Sequence, residues 1–260
     1  MIYYRNGQLH EGGIRQDIGS PAFRFGAGVF ETLLYNGRNL CRLPAHLARA
    51  RRSLEFFGLT EPEASYGDAR YAEAIAAVLR ANGLTERAAR VNIFFPAEDE
   101  SGTVVPVIAA VPYAPQPDKT YRLALASVAV QHPYFAHKSM NAMFHWMERR
   151  SAQALGYDDA VLVHQDGVLL ETTTAALVFG DGTSLCTPGS ADRLESTALA
   201  AAREVTPIDG CTVRASTAGG FRHAYVLNSL MGMRPVVWLN GVEYAPDEAT
   251  CARLTEVICS

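Results

Sequence analysis

The spacing of apolar positions changes along the chain, and each change predicts an element. Residues 2–4, followed by Asn6-Gly7, predict a short strand and a turn. Residues 29–35, Asn36-Gly37 and residues 39–43 predict a hairpin, because Asn-Gly suits a tight two-residue turn. Pro44 suits the first position of a helix. In that helix Leu43, Leu47, Ala50, Leu54 and Phe57 recur at helical spacing, and Gly58 closes it. A second helix is predicted over about 68–82, followed by Gly83, and then strands near 90–95 and 104–111.

The run Pro112-Tyr113-Ala114-Pro115-Gln116-Pro117-Asp118-Lys119 holds three prolines in eight residues and is the best linker candidate. It separates an N-terminal α+β domain, 1–112, from a C-terminal α+β domain, 120–260, with 113–119 as the linker. Beyond it the pattern predicts a strand over 121–130, a helix over about 141–155, and a hairpin over 160–171 around Gln165-Asp166-Gly167. A strand pair around Asp181-Gly182, a helix over about 194–205, strands at 225–228 and 235–239, and a terminal helix over about 247–258 complete the chain. Strands and helices mix without strict βαβ alternation, which predicts an α+β fold of two domains of similar size.

Composition narrows the classes of function. In 260 residues, 48% are hydrophobic and 19% charged, enough for a large core. A net charge of −4 argues against nucleic acid as a partner. No apolar run reaches the length that spanning a bilayer needs, and the N-terminus carries no signal-peptide pattern. Cysteines 41, 186, 211, 251 and 259 are odd in number and contain no CxxC pair, so neither a zinc site nor a disulfide framework is expected, and a reducing cytoplasm is the default location. The seven histidines show no metal-ligand spacing, and no metal is assigned.

Of 23 basic residues only Lys119 and Lys138 are lysines. Codon bias accounts for the arginines in general. A surviving lysine remains of interest, because arginine stays protonated and cannot form an imine. Lys119, in the linker, reads as a solvated charge. Lys138 lies among aromatic and apolar residues at a helix entrance, where it is either a snorkelling surface group or, if buried, a Schiff-base candidate. Glu171 ends an apolar strand and precedes Thr172-Thr173-Thr174; it is either a solvated edge or an acceptor aimed into a site. Ser196 or Thr197 caps a helix, or the helix start binds phosphate. Ser229, in a sharp turn after a strand, belongs to an ordinary connection or holds an anion. Arg49 sits in a run of arginines and is either a solvated face or a phosphate clamp.

The order and spacing of these residues resemble the class IV aminotransferase family. Phe25-Gly26-Ala27-Gly28-Val29-Phe30-Glu31-Thr32 is similar to its "FGDGVFET" signature, with Ala27 in place of the aspartate. His46-Leu47-Ala48-Arg49 resembles its "H-x-x-R" helix, and Lys138-Ser139-Met140-Asn141 its Schiff-base lysine motif. Residues 171–179 resemble the segment whose glutamate meets the cofactor ring nitrogen, and residues 228–236 most resemble the 4-amino-4-deoxychorismate lyase branch.

The resemblance implies a two-domain fold-type IV enzyme, similar to D-amino-acid aminotransferase, with pyridoxal 5'-phosphate in a cleft between the domains. It implies that Lys138 bonds the cofactor and moves the substrate proton, that Glu171 pairs with the ring nitrogen, and that Arg49, Ser196, Thr197 and Ser229 hold the phosphate. Residues 93–96 lack the arginine and glycine that relatives use for the substrate carboxylate, and Arg24 and Arg90 are the substitutes considered. The expected partners are an amino-acid-like small molecule and a second subunit, as a homodimer. The leading activity is lyase-like, an elimination that releases pyruvate and an aromatic amine. Transamination of a branched-chain or D-amino acid is the alternative, and a non-catalytic binding module comes last.

Overall fold

A computed structural model describes residues 1–61 and 67–260. The chain divides into two compact units. The first comprises Met1–Pro115 and Lys138–Ala142, together with Ser260; the second comprises Gln116–His137 and Met143–Cys259. Among the described residues no helix is long and apolar enough to cross a membrane.

The first unit contains β1 (Ile2–Arg5), β2 (Gln8–Glu11), α1 (Pro21–Phe25), β3 (Gly28–Asn36), α2 (Leu43–Phe56), α3 (Asp68–Ala81), β4 (Ala88–Pro96) and β5 (Val107–Pro112). The strands form an antiparallel sheet in the order β2-β1-β5-β4-β3. Side chains alternate across a strand, so Val29, Glu31 and Leu33 share one face of β3. All three are buried, and Val29 and Leu33 cluster with Leu43, Leu47, Ala50 and Leu54 of α2 and with Ile75 and Val78 of α3. A charged residue therefore occupies a position where the pattern calls for an apolar one.

The hairpin expected over 29–43 is shorter than its sequence suggests. After Asn36 only Tyr35 and Leu40 bridge, and the Cys41 N–H reaches the Leu34 carbonyl at 2.9 Å. Burial of Leu43 against the sheet draws that residue into α2 instead, with Pro44 in the helix's first turn.

The second unit contains β6 (Tyr121–Leu125), α4 (Met143–Ala154), β7 (Asp159–Val163), β8 (Leu169–Thr172), β9 (Ala176–Gly180), β10 (Leu185–Pro188), α5 (Thr197–Arg203), β11 (Ile208–Cys211), β12 (His223–Asn228), β13 (Gly232–Leu239), β14 (Val242–Glu243) and α6 (Glu248–Ile258). Its sheet runs β11-β10-β9-β12-β13-β6-β7-β8, with β14 on β13. Every residue of β9 is buried. Leu177 and Phe179 join one apolar cluster, while Ala176 and Val178 join another built with Ala198, Leu199 and Ala202 of α5 and Leu254 and Ile258 of α6.

Four expectations change here. The strand from residue 121 stops at Leu125, and Val130 makes only a single bridge to His164. The helix expected over 194–205 is confined to α5, because Ser196 is extended and caps it through its own hydroxyl. A disulfide joins Cys186 to Cys211, contrary to the expectation of none. The parallel strand β11, absent from the sequence reading, brings the two Cα atoms within 5.9 Å, a separation that permits the bond. Lys119 is also more than a solvated charge, since its ammonium pairs with Asp158.

Gly28 opens β3 with φ +142°, and a Cβ there would collide with the Phe95 carbonyl oxygen and the Met140 sulfur. Gly28→Ala is expected to lower the unfolding free energy by about 2 kcal/mol, measured by chemical denaturation; an unchanged midpoint would mean that this close approach is not needed.

Candidate active site

In the first unit the site is built on β3. The segment after His137 adds a short antiparallel stretch to this strand. The Phe30 N–H donates to the Lys138 carbonyl and the Met140 N–H to the Gly28 carbonyl, both at 2.9 Å, and Val29 bridges Ser139. Lys138 is half-buried, and its Nζ lies over the Phe30 ring, 4.6 Å from the centroid. Phe30 in turn stacks on Phe94 of β4 at 6.1 Å. The amine thus rests on an aromatic bed whose face attracts a cation and excludes water from one side.

The next residue along β3 points to the opposite face. Glu31 is 1% exposed, and both of its oxygens are engaged. Oε1 accepts from Arg49 Nε at 2.8 Å, and Oε2 accepts from Arg49 Nη2 at 2.6 Å. His46 Nδ1 lies 2.7 Å from Oε2. Helical spacing places His46 and Arg49 on the same buried face of α2. Burial alone would raise the Glu31 carboxyl, but the charge and hydrogen bonds of Arg49, with the His46 bond, overturn this and hold it at about 2. Burial pushes His46 down from 6.5, against the pull of Glu31; the charges of Arg49 and Lys138 push it further down. His46 is therefore neutral at pH 7 and donates through Nδ1.

In the second unit Glu171, 7% exposed, is the penultimate residue of β8, and its Oε1 accepts from the Leu194 N–H at 2.8 Å. The following threonines shape the turn. Thr172 bonds both backbone groups of Ala175, while Thr173 and Thr174 donate to the buried Asp159, the latter at 2.7 Å. Arg193 Nη1 donates to Thr187 Oγ1 at 2.5 Å. Burial pushes the Arg193 guanidinium down, and the charge of Glu171 opposes that push.

Ser196 spends its Oγ on the Leu199 N–H as the cap of α5. The neighbouring Thr197 hydroxyl lies 2.9 Å from the Ser229 hydroxyl, so these two side chains come together from sequence positions far apart. Ser229 is presented by a turn in which Asn228 Oδ1 accepts from the Leu230 and Met231 N–H groups, each at 3.0 Å.

The two arginines considered for a substrate acid are placed less favourably. Arg24 is exposed on α1, where it faces Glu100 at 3.7 Å. Arg90 is exposed and pairs with Leu34, four residues further along β3 than Phe30, or roughly 13 Å away. The structure does not bring Arg90 to the Lys138 amine. Sequence reading passed over Glu31 and Phe30 as site residues and gave Arg193 no role. Glu31 had one usable signal, a lone acid in register with apolar neighbours on β3.

The profile of the family described as amino-transferase class IV matches residues 28–238. No curated protein matches the chain. Among solved structures, the chain is similar to a branched-chain aminotransferase from Thermoproteus uzoniensis crystallised with norvaline (TM-score 0.87, 22% identity, covering 99% of this chain and 93% of that one). It is also similar to a hypothetical aminotransferase from Mycobacterium tuberculosis in its PLP-bound form (0.86, 20%, 99% and 98%). A candidate 4-amino-4-deoxychorismate lyase from Legionella pneumophila is similar as well (0.84, 18%, 95% and 95%). At these identities the likeness establishes the fold.

Acid should weaken the fold through both His46 and Glu31. The unfolded chain takes up a proton at His46 below about 6.5 that the native state refuses, and it protonates Glu31 near 4.5, whereas the native carboxyl waits until about 2. Both groups contribute stability at neutral pH that is lost as pH falls. Urea midpoints should therefore decline from pH 7 to 3, and His46→Gln should flatten the upper part of that decline.

Proposed function

Because the chain belongs to the class IV aminotransferase family, we propose that it is a pyridoxal 5'-phosphate enzyme that acts on an amino-acid-like substrate through Lys138. The observation that carries this reading is the Lys138 amine, half-buried and held over Phe30. The donor set fits the cofactor. It offers an amine for the aldehyde, a fixed carboxylate for the ring nitrogen, and hydroxyls with a guanidinium for the phosphate. When bound, the cofactor supplies an electron-withdrawing ring conjugated to the substrate carbon.

The chain's own residues would divide the work. Lys138 would hold the aldehyde and would move the proton at the substrate carbon that bears the amine. Glu171, fixed by the Leu194 N–H, keeps a proton on the ring nitrogen. Arg49 and the Thr197–Ser229 hydroxyl pair hold the phosphate, while Ser196 acts through the start of α5, which its side chain caps.

The lyase-like elimination leads, supported by the resemblance of residues 228–236 to that branch and by the likeness to the Legionella pneumophila chain. Transamination is the second reading, supported by the likeness to the branched-chain enzyme. A homodimer belongs to the same proposal. Its support is the set of exposed apolar side chains: Phe23 and Phe25 on α1, and Met143, Trp146 and Met147 on one face of α4.

The protein reconstituted with pyridoxal phosphate should absorb in the visible, and borohydride should fix the label on Lys138; Lys138→Ala should show neither. Incubation with aminodeoxychorismate and no oxo-acid acceptor should release pyruvate. Failure there, with amino transfer to a 2-oxo acid in ping-pong fashion, would select transamination. Glu171→Gln should retain the absorption but slow turnover by about a hundredfold or more; full turnover would overturn the ring-nitrogen role.

A further inference from the structure

We propose that Glu31 and His46 are positioning residues for the cofactor phosphate, holding the Arg49 guanidinium in the plane from which it grips that group. The inference rests on the proposed function, and within it on Arg49 as a phosphate ligand.

Glu31 stands where an apolar residue would continue the face of β3. Its flanking positions on that face, Val29 and Leu33, are buried in the main cluster of the first unit. An isolated carboxylate at such a place is strongly unfavourable and persists only if it is paired. Pairing alone would need a single cation at any angle, but the geometry is more specific. Arg49 presents Nε and Nη2 side by side to the two oxygens of one carboxylate. Two parallel bonds of this kind fix both the plane of a guanidinium and its rotation about the last side-chain bond.

His46 fixes the other partner. Its Nδ1, one helical turn before Arg49, bonds the Glu31 oxygen that also receives Nη2. His46 is fully buried, so its ring has no freedom to follow a moving carboxylate. With His46 neutral and Glu31 ionised, the three residues carry almost no net charge. An approaching anion is then selected less by net attraction than by the direction of the guanidinium N–H bonds, and that direction is what the cluster sets.

The cluster also shares a strand with the amine. Phe30, adjacent to Glu31, supports Lys138 on the other face of β3. Adjacent residues of one strand thus organise the group for the aldehyde and the group for the phosphate. Displacing Glu31 should disturb the second and spare the first.

The test compares pyridoxal phosphate with pyridoxal, which lacks the phosphate, on full-length protein stripped of cofactor. Binding is followed by the growth of visible absorption at Lys138. Glu31→Asp keeps the charge but shortens the reach by one methylene. It should weaken pyridoxal phosphate on the order of tenfold, the worth of one charge-assisted hydrogen bond, and leave pyridoxal unchanged. His46→Gln should act in the same direction with smaller effect, and Glu31→Asp should add nothing once Arg49→Gln is present. Thermal unfolding without cofactor identifies a variant that has lost its fold. If Glu31→Asp does not fold, His46→Gln, which leaves both Glu31–Arg49 bonds in place, gives the reading.

Equal weakening of both ligands, or no weakening of either, would overturn the proposal. Failure of the underlying reading looks different. In that case Arg49→Gln itself would bind the two ligands with the wild-type ratio, or Lys138→Ala would still develop the absorption.

Discussion

Two backbone hydrogen bonds decide where the Lys138 amine stands. The Phe30 N–H and the Gly28 carbonyl bind the Lys138 carbonyl and the Met140 N–H, so a few residues from the middle of the chain become an added strand on the outer edge of the first sheet. A lysine on a loop would sample many rotamers in water. Here its main chain is locked in register, and its side chain meets an aromatic face. The same constraint explains Gly28, because the added strand and β4 leave no room for a side chain between the Phe95 carbonyl and Met140.

The two units prepare their polar groups by different physical means. The first uses charge, with an acid, an arginine and a neutral histidine buried together and mutually satisfied. Such a cluster is stiff, because removing one member strands the others in a poor solvent. The second unit uses backbone amides and hydroxyls. The Leu194 N–H steadies Glu171, and Asp159 gathers Thr173 and Thr174, so the turn that follows Glu171 is held from beneath. Both devices spend folding energy on fixing polar groups in place.

Much of this was legible in the sequence, for reasons that differ by residue. Lys138 stood out because arginine had replaced nearly every other lysine, and the α2 and α3 helices because their apolar residues recur at a single period. Glu31 did not, because period-two alternation marks a face without saying what an acid on that face will meet. Its partners lie 15 and 18 residues away on a helix. The threonines after Glu171 could have faced a ligand, and only the fold shows that Asp159 claims two of them. The Cys186–Cys211 pair was hidden because β11 is a short strand with little apolar pattern. The start of α5 was misplaced because Leu194 reads as helical, whereas its N–H is already committed to Glu171.

The placement of Lys138–Ala142 with the first unit has a bearing on how the chain can be cut. A fragment ending at Pro115 would keep every named strand of the five-stranded sheet, yet the start of β3 would lose the neighbour that covers its edge. Exposed edges of that kind recruit other strands and favour aggregation. The first 115 residues are therefore a poor autonomous piece, and the covering segment would have to be supplied by complementation or grafted onto the truncated chain.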